Sequence, residues 1–435
     1  MSDTIHKEAG LNAPSQILVA GKLYTPEEIA GPVAVVLEGA SIRAIWRGTD
    51  VAAARKSIRE QWPDAKVEVV DLSSYRLAPG YIDLHTHGFY GHDITTGTQG
   101  DMEGMAHKLP QTGVTTFFPT IATIDRAGTM RRVRELAERI ERRPISIAAE
   151  IAGLRLEGPF ISRKKKGAQY EAAIRKPDPA EMEELVEAGR GSIRIVDFAP
   201  EEDESDAFLA ALVRMGIIAS IGHTMATYDQ TIRAIDEGAR HSTHLYDAMP
   251  PIEHRAPGAP GALLTDNRAT TEIIADAIHV HPAMLKLAVL ARGARDVALV
   301  TDATAPTGLP EGEYEFVGRK VTVRDGAARL ENGSLAGSIL MLDRAVRNMV
   351  NLVGLPWAEA IRMATQTPAR IASLTPRKGS IMPGADADLV ALDEQGYVQH
   401  TWTRGMLAYS RNSEGEDLRS TRSGSRQNRL LSEAR

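Results

Sequence analysis

From about residue 80 to residue 375 the chain alternates short apolar runs with stretches of helical period, and no other feature limits the fold as strongly. The run 114-VTTFFPTIA-122 precedes 128-GTMRRVRELAERIERR-143, and 217-IIASIGHT-224 precedes 227-TYDQTIRAIDEGA-239, where Thr227 stands as an N-cap. A chain of such units must bury each strand beneath the helices that flank it. No Gly-rich phosphate loop of the Rossmann or P-loop form interrupts them, so the pattern predicts an α/β fold of the closed (β/α)8 TIM type.

The ends read differently. Residues 17-ILVAGKLYTP-26, 33-VAVVLEGASIRAIW-46 and 67-VEVVDLSSYRLAP-79 alternate like short strands with tight turns, and 378-KGSIMPGADADLVALDEQGYVQHTWTRGMLAY-409 has the same character. We expect the two ends to meet as one small β-sandwich domain with the barrel inserted between them. The boundaries read from the sequence are a polar tail at 1–14, an N-terminal sandwich segment at 15–78, the barrel at 79–375, a C-terminal sandwich segment at 376–410 and a polar tail at 411–435. Arg419, Arg422, Arg426 and Arg429 in the last segment read as a solubilising extension.

Composition narrows the chemistry. With no cysteine among 435 residues, disulfide and thiolate chemistry are excluded, and any metal must be held by His, Asp or Glu. A formal net charge of −6 supplies no general field for nucleic acid. No apolar run reaches the length of a membrane span, and the first residues lack a secretory signal, so a cytoplasmic protein is expected.

In a (β/α)8 barrel the reactive groups sit at the C-terminal ends of the strands, and this chain places chemistry-bearing residues there in order. In 79-PGYIDLHTHG-88, His85 and His87 share one face of an extended run, where two imidazoles can grip one ion. Glu157 ends 154-LRLE-157 before a Gly-Pro turn, His223 ends 217-IIASIGHT-224, His244 falls in 239-ARHSTHLYDAM-249, and Asp302 ends 296-DVALVTD-302. Each alone is weak; a lone His-x-His is as often structural as ligating. Five coincidences at successive strand ends argue for a site. Imidazole and carboxylate suit zinc, with manganese, iron and cobalt also open. Glu157 has two oxygens and can serve one ion or bridge two. A bound ion brings the pKa of water from about 15.7 to about 7, and Asp302 can then act as base and later as acid toward a leaving nitrogen.

The set 79-PGYIDLHTHG-88, 156-LEGPFIS-162, 222-GHT-224, 243-THLYDAMPP-251, 274-IADAIHVHP-282, 300-VTDATAPTG-308 and 335-LAGSIL-340 resembles the N-acetylglucosamine-6-phosphate deacetylases of the amidohydrolase superfamily, over about residues 16 to 410. The resemblance implies a homodimer, an amino-sugar substrate, Glu157, His223 and His244 as the main metal ligands and Asp302 as the acid/base. Because His85 and His87 are retained, one or two ions per subunit are implied. It also implies a substrate-binding set of Gln169, Asp247, Ala248, Arg255 reaching the phosphate from the neighbouring subunit, and His279.

Two departures bear on the substrate. The family pattern THLYNAM is THLYDAM here, with Asp247 in place of asparagine, and a histidine usual after Gly-x is Gln169. A carboxylate about 4 Å from a phosphate charge costs on the order of 4 kcal/mol at an effective dielectric of 20. An unphosphorylated or epimeric N-acetyl amino sugar, or another N-acyl amine, is therefore the alternative substrate. Lys164, Lys165 and Lys166 read as a solvated loop face rather than a phosphate clamp, although the resemblance puts the run beside the site and keeps the clamp open. Dihydroorotase-like and D-aminoacylase-like barrels often bridge two ions with a carbamylated lysine, whereas Glu157 fills that place here. An inactive scaffold barrel would lack some of the ligand set, and all six residues are present.

Overall fold

The computed structural model describes residues 12–25, 28–142 and 147–411. The expected tail at 1–14 lies outside these residues up to residue 11, as does the polar segment from residue 412 onward, which carries Arg419, Arg422, Arg426 and Arg429.

Both chain ends build one β unit. Its seven strands, in spatial order Met406–Ser410, Val398–Thr403, Leu389–Leu392, Glu68–Pro79, Gln16–Tyr24, Glu28–Glu38 and Ser41–Arg47, form a single hydrogen-bonded sheet among the described residues. The ends join where Leu389–Leu392 pairs antiparallel with Glu68–Pro79. The sheet then curls over its own core, since Ile42 and the 384–385 backbone exchange hydrogen bonds of 2.8 Å. Period two explains the two faces: Leu18, Ala20, Val33, Val35 and Leu37 line the inner core with Trp402, whereas Ile17, Val19, Ala34 and Val36 face outward. A helix at Val51–Gln61, not anticipated from the sequence, covers that outer face with Ala54 and Ile58, and Asp50 caps it.

The barrel follows. Tyr81–Thr86, Val114–Ala122, Leu154–Glu157, Ile193–Phe198, Ile218–Ile221, His241–Ser242, Thr270–Ile274 and Val297–Val300 pair in parallel, each with the next. The ring closes through a parallel bridge between Thr86 and Ala303 and a 2.9 Å hydrogen bond from Asp302 N–H to His85 O. Helices such as Arg126–Glu141, Tyr228–Asp236 and Pro282–Arg292 run between the strands. Thr227 caps its helix as expected, with Gln230 closing a capping box. No helix of the described residues is long and apolar enough to cross a membrane.

A second feature, besides that helix, escaped the sequence reading. Between the eighth barrel strand and the helix Leu342–Asn351, the strands Gly312–Phe316, Arg319–Arg324 and Ala327–Leu330 form an antiparallel meander. Its turns are Val317-Gly318 and Asp325-Gly326, all four residues at positive φ, as a two-residue hairpin turn of the primed type requires. Phe316, Val321, Val323, Ala328 and Leu330 pack there with Ala122, at the end of the second barrel strand.

Where the chain returns from barrel to sheet, Arg377 and Lys378 clamp Glu150 at 2.7 and 3.0 Å, and reach Asp386 at 2.7 and 2.9 Å. Burial alone would raise the Glu150 carboxyl, but the Arg377 hydrogen bond and the Lys378 charge hold it down at about 2, against 4.5 ordinarily. A depressed carboxyl stabilises the fold above its unfolded pKa and loses that contribution as pH falls through the folded one. Glu150→Gln should therefore lower the Tm at pH 7, and the gap to the parent should close as pH drops from 4.5 towards 2; a gap that persists unchanged at acid pH would show that Glu150 contributes by packing alone.

Candidate metal centre

Strand geometry explains how residues from 85 to 302 reach one point. In Tyr81–Thr86, Ile82 and Leu84 join the apolar core while Asp83 and His85 take the other face, and His87 continues that alternation. In Leu154–Glu157 the same period sends Leu154 and Leu156 into the core and Arg155 and Glu157 to the barrel interior. His223, His244 and Asp302 each sit two residues past the end of a strand, at φ of 46°, 25° and 48°. Left-handed backbone of this kind costs about 1–3 kcal/mol per residue and is retained where the surroundings enforce it.

The other five side chains gather around Glu157. His223 Nε2 and His244 Nε2 each lie 3.0 Å from Oε1. His87 Nε2 lies 2.9 Å from Oε2, and His85 Nε2 lies 3.5 Å from Oε1. Asp302 Oδ1 completes the group at 3.4 Å from His85 Nε2 and 3.3 Å from His87 Nε2.

Backbone carbonyls decide which ring nitrogens are bare. Nδ1 of His87 faces Thr120 O at 3.1 Å, Nδ1 of His223 faces Lys165 O at 2.8 Å, and Nδ1 of His244 faces Asp247 O at 3.2 Å. A carbonyl can only accept, so each Nδ1 carries a proton, and a ring in its neutral form then turns a lone pair inward at Nε2. Yet His223 Nε2 and His244 Nε2 are 3.1 Å apart, and His85 Nε2 and His87 Nε2 are 3.2 Å apart. Lone pairs and carboxylate oxygens this close repel unless positive charge sits among them. The residues form two overlapping groups, His85, His87, Glu157 and Asp302, and Glu157, His223 and His244. Their nitrogen and oxygen donors fit a divalent cation of the zinc kind.

The titration directions state the same demand. Burial alone would lower His85 and His87, and Arg155 opposes charging of His85 further, but the Asp302 and Glu157 carboxylates push the two imidazoles up to about 10 and 9. Burial would raise Glu157 and Asp302, but the surrounding histidines hold both below the usual carboxylate range.

Beneath this group lies a buried ionic layer that the sequence reading missed. Arg155 donates to Asp197 at 3.0 and 3.1 Å, to Glu272 at 2.5 and 2.9 Å and to Thr243 Oγ1 at 3.0 Å. Glu272 in turn lies 3.5 Å from His85 Nδ1 and 3.6 Å from His241 Nε2. The available signal was a charged residue inside each of three apolar strands, where a doubly buried strand should read as continuously apolar.

The expected substrate residues are brought to the same place with one exception. Gln169, Asp247, Ala248 and His279 line a cavity of about 300 Å³ that opens onto Glu157, His223, His244 and Asp302. Lys164 and Lys165 also line it, so that run is not simply a solvated face, and Phe316 reaches it from the meander. Burial opposes the charge on His279, but Asp276 at 2.7 Å raises it to about 9. Burial pushes the Asp247 carboxyl up to about 6 against the pull of His279 and His244. Arg255 is exposed beside His254 and does not line the cavity of its own chain.

The barrel and its convergent donors define the class: the chain belongs to the amidohydrolase family, whose model matches residues 76–410. It is 38% identical to the N-acetylglucosamine-6-phosphate deacetylase of Bacillus subtilis (strain 168), an alignment covering 77% of this chain and 84% of that one. It is 37% identical to the N-acetylgalactosamine-6-phosphate deacetylase of Escherichia coli O157:H7, covering 79% and 90%. A variant of the Mycobacterium smegmatis N-acetyl-D-glucosamine-6-phosphate deacetylase, solved in complex with N-acetyl-D-glucosamine-6-phosphate, superimposes with a TM-score of 0.83 at 31% identity, covering 92% of this chain and all of that one. Within the amidohydrolases, the chain is thus one of the N-acetylglucosamine-6-phosphate deacetylase family.

Replacing Arg155 by Met should destabilise the fold by about 3–5 kcal/mol, because two buried carboxylates lose their cation. A shift in the urea midpoint would register it; a midpoint within experimental error of the parent would show that the layer is not a source of stability.

Proposed function

We propose that the protein is a metal-dependent deacetylase that hydrolyses the acetamide of an N-acetylated amino-sugar phosphate, N-acetylglucosamine-6-phosphate first, releasing acetate and the free amine. The observation that carries this reading is the set of three imidazoles whose Nδ1 atoms face backbone carbonyls while their Nε2 atoms converge on Glu157, with Asp302 alongside.

Glu157, His223 and His244 are assigned as the main ligands, with His85, His87 and Asp302 beside Glu157 for a second ion. When bound, a divalent ion supplies Lewis acidity toward the amide carbonyl and acidifies water. Asp302, ionised and 3.3 Å from His87, accepts a proton from the attacking water and returns it to the departing nitrogen. His279, protonated through neutral pH, offers positive charge to an anionic substrate group, and Lys164 and Lys165 add to it at the cavity wall. Asp247 and Ala248 contact the sugar, and Arg255, off its own cavity, suits a homodimer in which it reaches a neighbouring one. A sugar phosphate is charged and does not cross membranes, which suits a cytoplasmic enzyme.

A second reading rests on the similarity to the galactosamine-specific relative and on Asp247: an epimeric or unphosphorylated N-acetyl amino sugar. Acetate release from N-acetylglucosamine-6-phosphate, N-acetylgalactosamine-6-phosphate and N-acetylglucosamine, measured side by side with zinc-loaded protein, separates the cases. We expect the first to dominate and dialysis against a chelator to abolish it, with zinc restoring it; release from none of the three would overturn the proposal. Asp302→Asn should reduce kcat by about 10²–10⁴-fold while retaining zinc. His279→Ala should raise KM more than it lowers kcat. Since the His279 pKa is raised, the anion affinity it supplies should be present below pH 9 and fade above it; a KM that is flat across that pH in the parent would exclude the role.

A further inference from the structure

We infer that Gln169 is a positioning residue of the metal centre, holding the Glu157 carboxylate in the orientation that shares its two oxygens between the two groups of donors. The inference rests on the proposed reading of that centre and names a residue whose task is distinct from ligation and from substrate contact.

Gln169 is 2% exposed, and both ends of its amide are committed. Its Oε1 accepts from the Thr123 backbone N–H at 2.7 Å, and its Nε2 donates to Glu157 Oε2. The first bond settles the second. A backbone N–H can only donate, so the amide oxygen must face Thr123 and the NH₂ must face the carboxylate. Thr123 follows the second barrel strand, which makes the holder as fixed as the barrel wall.

The geometry at Glu157 shows what is held. Oε1 faces His223 and His244, and Oε2 faces His87. Rotation about the last side-chain bond would take both oxygens off their partners, since Oε1 has His85 at 3.5 Å besides His223 and His244 while Oε2 has only His87 among the histidines of the centre. A donor on Oε2 removes that freedom. The donor is also neutral, so Glu157 keeps its full negative charge for a cation, which a lysine or arginine at this position would partly cancel.

The loop that carries Gln169 serves a second member of the centre. Lys165 O accepts from His223 Nδ1 at 2.8 Å, Ser162 N–H donates to His223 O at 2.9 Å, and Gln169 N–H closes back on Lys166 O at 2.9 Å. The segment 162–169 thereby fixes the tautomer of His223 and the rotation of Glu157 together.

The test is the zinc dissociation constant, measured by competition with a chromogenic chelator, for the parent, Gln169→Met and Gln169→Ala. Methionine keeps the volume and removes both hydrogen-bonding ends; alanine serves if methionine does not fold. We expect zinc to bind about 10–100-fold more weakly in both variants, with a changed visible spectrum of the cobalt-loaded protein, while the Tm of the metal-free protein stays close to the parent's. Parent-like zinc affinity in a folded variant would overturn the inference, and if KM then rose, it would assign Gln169 to the substrate instead. A parent that binds no divalent ion would overturn both the inference and the proposed function.

Discussion

Charge compensation at a single buried carboxylate governs this molecule. Glu157 is 3% exposed at the end of a strand buried along its whole length, and an ionised carboxylate left alone there would be far too costly to keep. Four imidazoles answer it with nitrogens at 2.9–3.5 Å. Three of those rings turn Nδ1 to backbone carbonyls, which leaves Nε2 of each facing the centre.

The barrel separates this task from that of its own stability. Period two along the third strand puts Arg155 one layer below Glu157. Arg155 balances Asp197 and Glu272 in the interior, and Glu272 turns one oxygen toward His85. The lower layer is thus closed around a permanent guanidinium charge, whereas the upper layer meets its carboxylates with imidazoles. That division keeps the reactive groups at the open mouth, where the left-handed residues His223, His244 and Asp302 hold backbone strain that the wall supports.

The cavity combines opposite signs. His279, its pKa raised by contact with Asp276, and the two lysines bring positive charge to the wall, whereas the Asp247 carboxyl brings a negative one when ionised. An asparagine in that position would carry no such conflict. Under the proposed function, the balance between these groups would set how strongly a phosphate is preferred to a hydroxyl, and it rests on residues of three separate loops.

Much of this was legible in the sequence, because residue type and strand period are local properties. His85 and His87 declared themselves by spacing, and Glu157, His223, His244 and Asp302 by standing at the ends of successive apolar runs. The meander at 312–330 also left a local trace, the Asp-Gly turn between alternating residues, which the barrel pattern obscured. Other features had no local trace. Arg155 and Glu272 are 117 positions apart and look like isolated breaks in apolar strands until closure sets them against each other. Gln169 was placed near the site by the family resemblance, but its bond to Glu157 depends on Thr123, 46 positions earlier, meeting its amide oxygen. The sequence by itself determined the order of strands and the kind of chemistry they carry, since both follow from side-chain type and period along the chain. Only the tertiary structure decided which charge neutralises which and which nitrogen is left bare, because those outcomes depend on distances of a few ångströms between segments that only the closed barrel brings together.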